Sequence, residues 1–372
     1  MNGATGWTRR VPPGERTARI AWARLVEPAD AGAVRLVETL GPEEALRGLD
    51  PASPLGTRIA PRLATLDVER DLEIAGRLGA RVIIPDDPEW PQGLRSLTAP
   101  PWCLWVRGPV QLADVCERSV SIVGARAATG YGVHQARELA AGLVDRDFMV
   151  VSGAAYGIDG AAHQGALAGD GLTVAVVAGG IDRPYPAGHA SLLARIAESG
   201  AVLTEVPPGS APTRWRFLSR NRVIATLSQG TVVVEAGLRS GSRNTANQAR
   251  EHQRVVCAVP GPVTSAASAG CHELLREEGV ILVTDADEIV EAVGQIGELA
   301  SPKRGRSSPQ DALSELQQVV YAALPVSATA SVDQLAQRSG RSTGEVRSSL
   351  GILSAGGLCE RRDDGWRKRR TS

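Results

Sequence analysis

Lysine is scarce in this sequence, and its absence excludes two kinds of enzyme. Of the 41 basic residues only Lys303 and Lys368 are lysines. No Gly-Lys-Ser/Thr phosphate loop is therefore present, which excludes a P-loop ATPase. Schiff-base chemistry requires a buried lysine, and neither of the two lies where the pattern predicts burial.

Paired cysteines and long apolar runs are also absent. The five cysteines are odd in number and contain no CxxC pair, so we expect neither a disulfide framework nor a zinc site. They are predicted to be small core residues: Cys103, Cys116, Cys257, Cys271 and Cys359. No run approaches the ~20 apolar residues of a membrane span, and the N-terminus lacks the apolar stretch of a secretory signal. These features predict a cytoplasmic protein that makes no membrane contact.

The length of 372 residues predicts two or three domains. Short helical patterns run from about residue 15 to 74, and a basic, Gly/Ser/Pro-rich stretch follows residue 294. Beyond it come three helix signals and a hairpin signal, the pattern of a winged helix. The predicted organisation is a small N-terminal helical domain, an α/β core, a linker and a winged-helix domain, at 1–78, 79–296, 297–310 and 311–372.

Six short β-branched runs alternate with helical stretches in the core. They lie at 119–124, 148–153, 173–180, 201–206, 231–237 and 254–261. Several are apolar without alternation, as is typical of parallel strands buried on both faces. The predicted fold is α/β, an extended Rossmann-like, doubly wound and mostly parallel sheet.

Glycines and serines collect after these runs, where an α/β sheet binds its ligands. The first loop holds Gly124 and Arg126 before a helix, an arrangement that suits an anion. Its spacing is not GxGxxG and no acidic residue ends the second strand, so the pattern does not favour NAD. The other loops bring further small residues to the same predicted edge: Ser152, Gly153, Gly179, Gly180, Ser240, Gly241 and Ser242.

Residues 214–222 contain the strongest local signal. Four arginines interleave with Trp215 and Phe217, and no acidic residue occurs between Glu205 and Glu235. Aromatic faces stack on bases while arginines contact phosphates, so the segment predicts single-stranded nucleic-acid binding. The alternative is a solvated basic helix start whose two aromatic residues belong to the core.

Catalytic candidates are fewer. Glu235 is the best of them, since a carboxylate there could stabilise an oxocarbenium ion, although a structural role is the other reading. We find no Ser-His-Asp order, metal-ligand cluster or paired carboxylates.

The motifs together resemble the DNA processing protein A (DprA, also called Smf) family. They are IVGARAATGYG, VVSGAAYGIDGAAHQGAL, VVAGGIDRPYP, RFLSRNRVIA, VVVEAGLRSGSRNTANQA and AVPG, in order over about residues 81–293. The N-terminal helices are similar to the sterile-alpha-motif-like or helix-hairpin-helix region of many members. The C-terminal segment is similar to their winged helix.

The resemblance implies a non-enzymatic protein of natural transformation. It would bind and protect incoming single-stranded DNA, load the RecA recombinase, form a homodimer through its core and use no nucleotide cofactor. By the same resemblance the DNA contacts are Gly124, Arg126, Phe217, Arg220 and Arg222. Some members carry a basic residue after the Tyr-Pro pair; here Ala187 and Gly188 follow Tyr185-Pro186, so Arg183 or Arg216 is expected to replace it.

Two other functions stay open at this point. A nucleotide phosphoribohydrolase would use a related Gly-rich cleft with a catalytic glutamate, but its PGGxGTxxE pattern is absent. A nucleotide-sensing transcription factor would use the winged helix on duplex DNA, and its binding would be sequence-specific.

Overall fold

The computed structural model describes residues 11–115, 117–294, 313–326, 328–362 and 365–369. The chain divides into two compact units, Met1–Leu299 and Ala300–Ser372. Cys116 and the predicted linker lie outside the described residues. Within the described ranges, no helix is both long enough and apolar enough to cross a bilayer.

A nine-stranded sheet organises the first unit. In chain order its strands are β1 (Ala80–Ile83), β2 (Leu104–Arg107), β3 (Ser119–Val123), β4 (Met149–Ser152), β5 (Thr173–Val176), β6 (Ala201–Thr204), β7 (Gly230–Val233), β8 (Val255–Ala258) and β9 (Val280–Leu282). Their spatial order is β1-β2-β6-β5-β4-β3-β7-β8-β9. Strands β3 to β9 pair in parallel, and β2 joins β6 and β1 in antiparallel fashion. The strand order reverses between β3 and β7, which is the point where doubly wound sheets bind ligands.

The fold prediction is confirmed, because each of the six predicted runs forms one of the strands β3 to β8. Strand β9 lies outside the predicted runs. This strand has three residues and two of them are exposed, so it lacks the continuous apolar run that marked the others.

Helices cover both faces of the parallel sheet. They are α6 (Leu112–Val115), α7 (Gly130–Val144), α8 (Ile158–Ala168), α9 (Ala190–Ser199), α10 (Arg214–Leu227), α11 (Gly241–Glu251), α12 (Ala269–Leu274) and α13 (Ala286–Val293), with 3-10 turns at Gln92–Ser96 and Ala187–His189. Residues of β3 and β7 belong to two separate apolar clusters: Val123 and Val233 to one, Ile122 and Val232 to the other. Burial on both faces explains why these strands show no polar alternation.

Five short helices precede the sheet, as the periodicity predicts. They are α1 (Glu15–Leu25), α2 (Ala31–Leu40), α3 (Pro42–Arg47), α4 (Pro54–Leu63) and α5 (Val68–Arg77). The side chains of Asp30, Ser53 and Asp67 cap the first turns of α2, α4 and α5.

These helices are not a separate compact domain, which corrects the predicted boundary after residue 78. Their core is continuous with that of the sheet, where it includes Val177, Leu193 and Val202. Trp22 of α1 is fully buried and stacks on Trp102, with 5.9 Å between ring centroids. An amphipathic helix of about ten residues needs tertiary packing for its stability, and the sheet side supplies it here.

The second unit contains the three predicted helices and the hairpin. These are α14 (Glu315–Ala323), α15 (Val332–Ser339), α16 (Thr343–Ala355), β10 (Cys359–Arg362) and β11 (Gly365–Lys368). Each helix begins with a capping box, in which Ser314, Ser331 and Ser342 are the N-caps. The four described cysteines are buried, as predicted for small core residues.

We expect Trp22→Ala to lower the free energy of unfolding by about 3–5 kcal/mol, because it empties a fully buried site and leaves the Pro42 carbonyl without its indole donor. Urea unfolding followed by far-UV circular dichroism measures this. Leu40→Ala, at an exposed position of α2, is the matched control. Equal unfolding midpoints for the two variants would contradict a shared core.

Candidate functional site

A pocket of about 950 Å³ opens at the carboxyl ends of β3 and β7. It lies where the strand order reverses, as expected for this class of sheet. Three segments form most of its wall: the loop after β3, the first turns of α10, and the loop between β7 and α11. Of the predicted site residues, Gly124, Arg126, Phe217, Arg220, Ser240, Gly241 and Ser242 line it.

A buried carboxylate joins two of these segments. Glu235, which follows β7, accepts hydrogen bonds from the Thr129 backbone N–H at 2.9 Å and the Thr129 hydroxyl at 2.6 Å. The backbone N–H of Ala125 donates to the Glu235 carbonyl at 2.7 Å. Thr129 is also the N-cap of α7. These contacts hold the loop that carries Arg126 against the end of β7.

The same contacts decide between the two readings of Glu235. Its side chain is 1% exposed, it does not line the pocket, and both of its oxygens accept from Thr129. The structure therefore gives this glutamate a structural position and no access to a ligand in the pocket.

Three exposed arginines line the pocket: Arg126, Arg214 and Arg239. Within the part of the chain that the structure describes, none of them forms an ion pair with a carboxylate. Neither Arg214 nor Arg239 is among the individually predicted site residues, although Arg214 belongs to the predicted binding segment 214–222. The signal for Arg239 is its place just before the serine that caps α11, at a strand end.

Two helices begin at the pocket and add positive potential. Thr213, the N-cap of α10, and Ser240, the N-cap of α11, both belong to the lining. Free N–H groups and the helix dipole at such ends attract anions. Arginines and helix starts thus present the same sign of charge to the opening.

Phe217 is the aromatic centre of the site. The Arg126 guanidinium lies 4.7 Å from its ring centroid, the Arg220 guanidinium 5.9 Å, and the Tyr185 ring 5.5 Å. Tyr185 also lines the pocket and is exposed. A π-face that cations already approach can also stack on a planar ligand.

Two buried titratable residues, Arg220 and Asp159, also line the pocket. Arg220 is 5% exposed and donates from Nη1 to the Val176 carbonyl at 2.6 Å. Burial lowers the pKa of Arg220 to about 10, and the nearby Asp159 carboxylate opposes this effect. Burial likewise raises the pKa of Asp159, while Arg220 opposes it. Arg220 still carries its charge at neutral pH.

Six predicted site residues do not line the pocket. Ser152 is buried and its hydroxyl donates to the Ile122 carbonyl at 2.6 Å. Gly153 lies below the pocket, where an added Cβ would be 1.9 Å from Arg220 Nη1. Gly179 and Gly180 pack against the loop that precedes α10 instead.

The other two are arginines held by carboxylates. Arg222 is buried and pairs with Glu205, so it is directed into the core. Arg216 donates to Glu27 from Nε at 2.8 Å and to the Ala211 carbonyl from Nη1 at 2.9 Å. Burial raises the pKa of Glu205, with Arg222 opposing that effect.

Neither expected replacement for the basic residue after Tyr185-Pro186 reaches the pocket. Arg216 is bound as described, and Arg183 lines a separate small cavity. Arg214 and Arg239 supply the positive charge instead. Four arginines within nine residues pointed to the right segment, but only contacts from other elements decide which of them remain unpaired.

Two family models match the chain. That of DNA recombination-mediator protein A matches residues 81–294, and that of the DprA winged helix domain matches residues 304–365. The putative DNA processing protein DprA of Mycobacterium tuberculosis is 50% identical over 369 residues, which cover 94% of each chain.

Solved structures agree with these matches. The structure of DNA processing protein A from Streptococcus pneumoniae aligns with a TM-score of 0.63 and 28% identity, over 76% of this chain and 98% of that one. A structure that describes the single-stranded DNA binding mode of DNA processing protein A from Helicobacter pylori aligns with a TM-score of 0.52 and 27% identity, over 57% and 94%.

We expect Gly132→Ala to lower the free energy of unfolding by about 1–3 kcal/mol, since its Cβ would lie 2.2 Å from Glu235 Oε2 in a packed site. Chemical denaturation measures this. Gly130→Ala in the same helical turn is the control, because no atom lies within 4 Å of its added Cβ. Equal stability of the two variants would contradict the described packing around Glu235.

Proposed function

Because this chain belongs to the DNA recombination-mediator protein A (DprA) family of DNA-processing proteins, we propose that its pocket binds single-stranded DNA. One observation carries the proposal. The exposed Arg126, Arg214 and Arg239, which have no carboxylate partner among the described residues, line the same pocket as Phe217, and the Arg126 guanidinium lies 4.7 Å from the centroid of its ring. Guanidinium groups contact phosphates while an aromatic face stacks on a base.

The aromatic centre favours a single strand over a duplex. In a duplex the base faces are already stacked on one another, so Phe217 and Tyr185 have no π-face to contact. Stacking and phosphate contacts tolerate any sequence, which suits a protein that accepts incoming DNA. The binding mode described for the Helicobacter pylori relative supports the same ligand class.

We infer that the protein acts by binding and not by catalysis. Glu235, the best catalytic candidate, is bound to Thr129 and has no access to the pocket. Family membership is the support for the finer roles: protection of incoming single strands in the cytoplasm, and loading of RecA onto them during natural transformation.

A homodimer through the core is the last part of the proposal. Strand β9 ends the sheet, and its residues Ile281 and Leu282 are 40% and 51% exposed. An edge strand with exposed apolar side chains and unpaired backbone groups is suited to pairing with a second chain. This edge is the surface that we infer for dimerisation.

We expect Arg126→Ala and Arg239→Ala each to weaken binding of a labelled single-stranded oligonucleotide by about 1.5–3 kcal/mol, because each removes a charged hydrogen-bond donor to a phosphate. Each should also reduce the slope of log affinity against log salt by about 0.7. Fluorescence anisotropy across a salt series measures both, and wild-type protein should prefer the single strand to the duplex.

Arg195→Ala is the matched control. Arg195 is exposed on α9 and outside the pocket, and it has no ion pair among the described residues. Arg220→Ala is a poor test, since it would leave Asp159 as a buried carboxylate without its neighbouring charge. Losses at Arg126 and Arg239 no larger than that of the control would refute this position of the DNA site.

For the dimer, we expect Ile281→Asp to shift the protein from dimer to monomer in light scattering behind size exclusion, because a charge at the paired edge blocks strand addition. Val263→Asp, at a position that is 89% exposed, is the control and should leave the dimer intact. A dimer that persists in Ile281→Asp would place the interface elsewhere.

A further inference from the structure

Trp215 stands apart from the other described tryptophans because the fold leaves it in solvent. Its side chain is 58% exposed, whereas the buried ones are Trp22, Trp90, Trp102 and Trp105, and Trp366 is half-buried. Tryptophan has one of the largest apolar surfaces of any side chain, and large apolar side chains in solvent frequently mark a contact with a partner.

The position of Trp215 on α10 is next to the pocket. Arg214, Phe217, Leu218 and Asn221 line the pocket at the spacing of one helical face. Trp215 directly follows Arg214 and lies one turn before Leu218, which is itself 39% exposed. The indole is therefore at the outer margin of the face that forms the pocket wall.

The backbone beneath the indole is fixed from both sides. The Thr213 hydroxyl accepts the Arg216 N–H at 3.3 Å and caps the helix. The Arg216 side chain donates to Glu27, in the loop between α1 and α2, and to the Ala211 carbonyl. Trp215 lies between these anchored residues, so its backbone position is set before any ligand arrives, which lowers the entropic cost of a contact.

Charge and pocket size indicate what covers the indole. The chain has no acidic residue between Glu205 and Glu235, and the exposed neighbour Arg214 is cationic. The partner should therefore combine negative charge with a flat π-face, as a nucleotide does. A pocket of about 950 Å³ has the size of a small-molecule site, so a strand of many nucleotides must leave it across the margin.

We propose that Trp215 is a base-stacking platform that binds a nucleobase of the strand just outside the pocket. The inference rests on the proposed function and extends it, since it makes affinity depend on strand length. Short strands fill the pocket alone, whereas longer strands gain the stacking contact. A protein with a small residue at position 215 would make the same contacts with short strands as with long ones.

The experiment compares wild type with Trp215→Ala, Trp215→Phe and Trp215→Leu. The ligands are thymidine oligonucleotides of about 4 and about 16 nucleotides, within the range of single-strand site sizes, and an abasic strand of the longer length. The control is Leu172→Ala, at an exposed apolar position just before β5. It lies at the amino ends of the parallel strands, whereas the pocket lies at their carboxyl ends.

We expect Trp215→Ala to weaken binding of the longer oligonucleotide by about 5- to 150-fold, the range measured for loss of one stacked base. Binding of the short oligonucleotide and of the abasic strand should be unchanged. Trp215→Phe should retain much of the affinity for the longer oligonucleotide, and Trp215→Leu should retain little of it. Leu172→Ala should bind as wild type does. Quenching of tryptophan fluorescence by the longer strand should be smaller in Trp215→Phe.

Equal losses on the abasic and the thymidine strands would overturn the stacking proposal, and so would recovery of affinity in Trp215→Leu. If Trp215→Ala binds every strand like wild type but changes the oligomeric state in light scattering, the indole contacts protein and the proposal fails. In either case a large loss of single-strand affinity in Arg126→Ala would still support the proposed function. Absence of single-strand binding by wild type would refute both.

Discussion

The bond between Glu235 and Thr129 is the constraint on which the site depends. It ties the first loop of the parallel sheet to the strand across the reversal of strand order, and it does so with one buried carboxylate. A charged group that is 1% exposed is tolerated only when its oxygens are satisfied, and here the backbone N–H and the hydroxyl of one residue satisfy them. Through this contact Arg126 is held above Phe217.

The positions of the carboxylates decide which arginines form ion pairs within the protein and which can contact a ligand. Arg216 forms an ion pair with Glu27, and Arg222 forms one with Glu205, so both positive charges are neutralised within the protein. The three pocket arginines form no ion pair with a carboxylate among the described residues, so their charge remains available to a ligand: Arg126, Arg214 and Arg239. The overall charge of zero therefore says little about binding, since a local excess of unpaired cations attracts an anionic strand.

The N-terminal helices contribute to the site although they lie outside its wall. Glu27 follows α1 and holds Arg216 in the first turn of α10, while Arg24 donates to the Pro208 carbonyl at 2.8 Å. Both contacts fix the segment that leads into α10. A shared core makes this possible, because helices that pack on the sheet can place a side chain against α10 with little freedom.

The sequence by itself determined the fold class, six of the nine main-sheet strands as parallel runs, and the segments that carry the site. Uninterrupted apolar runs, small residues at strand ends and arginines beside aromatics are local patterns, and each has a direct physical meaning. Only the tertiary structure decided that Arg214 and Arg239 face the pocket, that Arg216 and Arg222 do not, and that Glu235 is structural. The reason is that pairing and burial depend on residues far apart in sequence: Glu27 lies 189 positions from Arg216, and Glu235 lies 106 from Thr129. No local pattern contains that information.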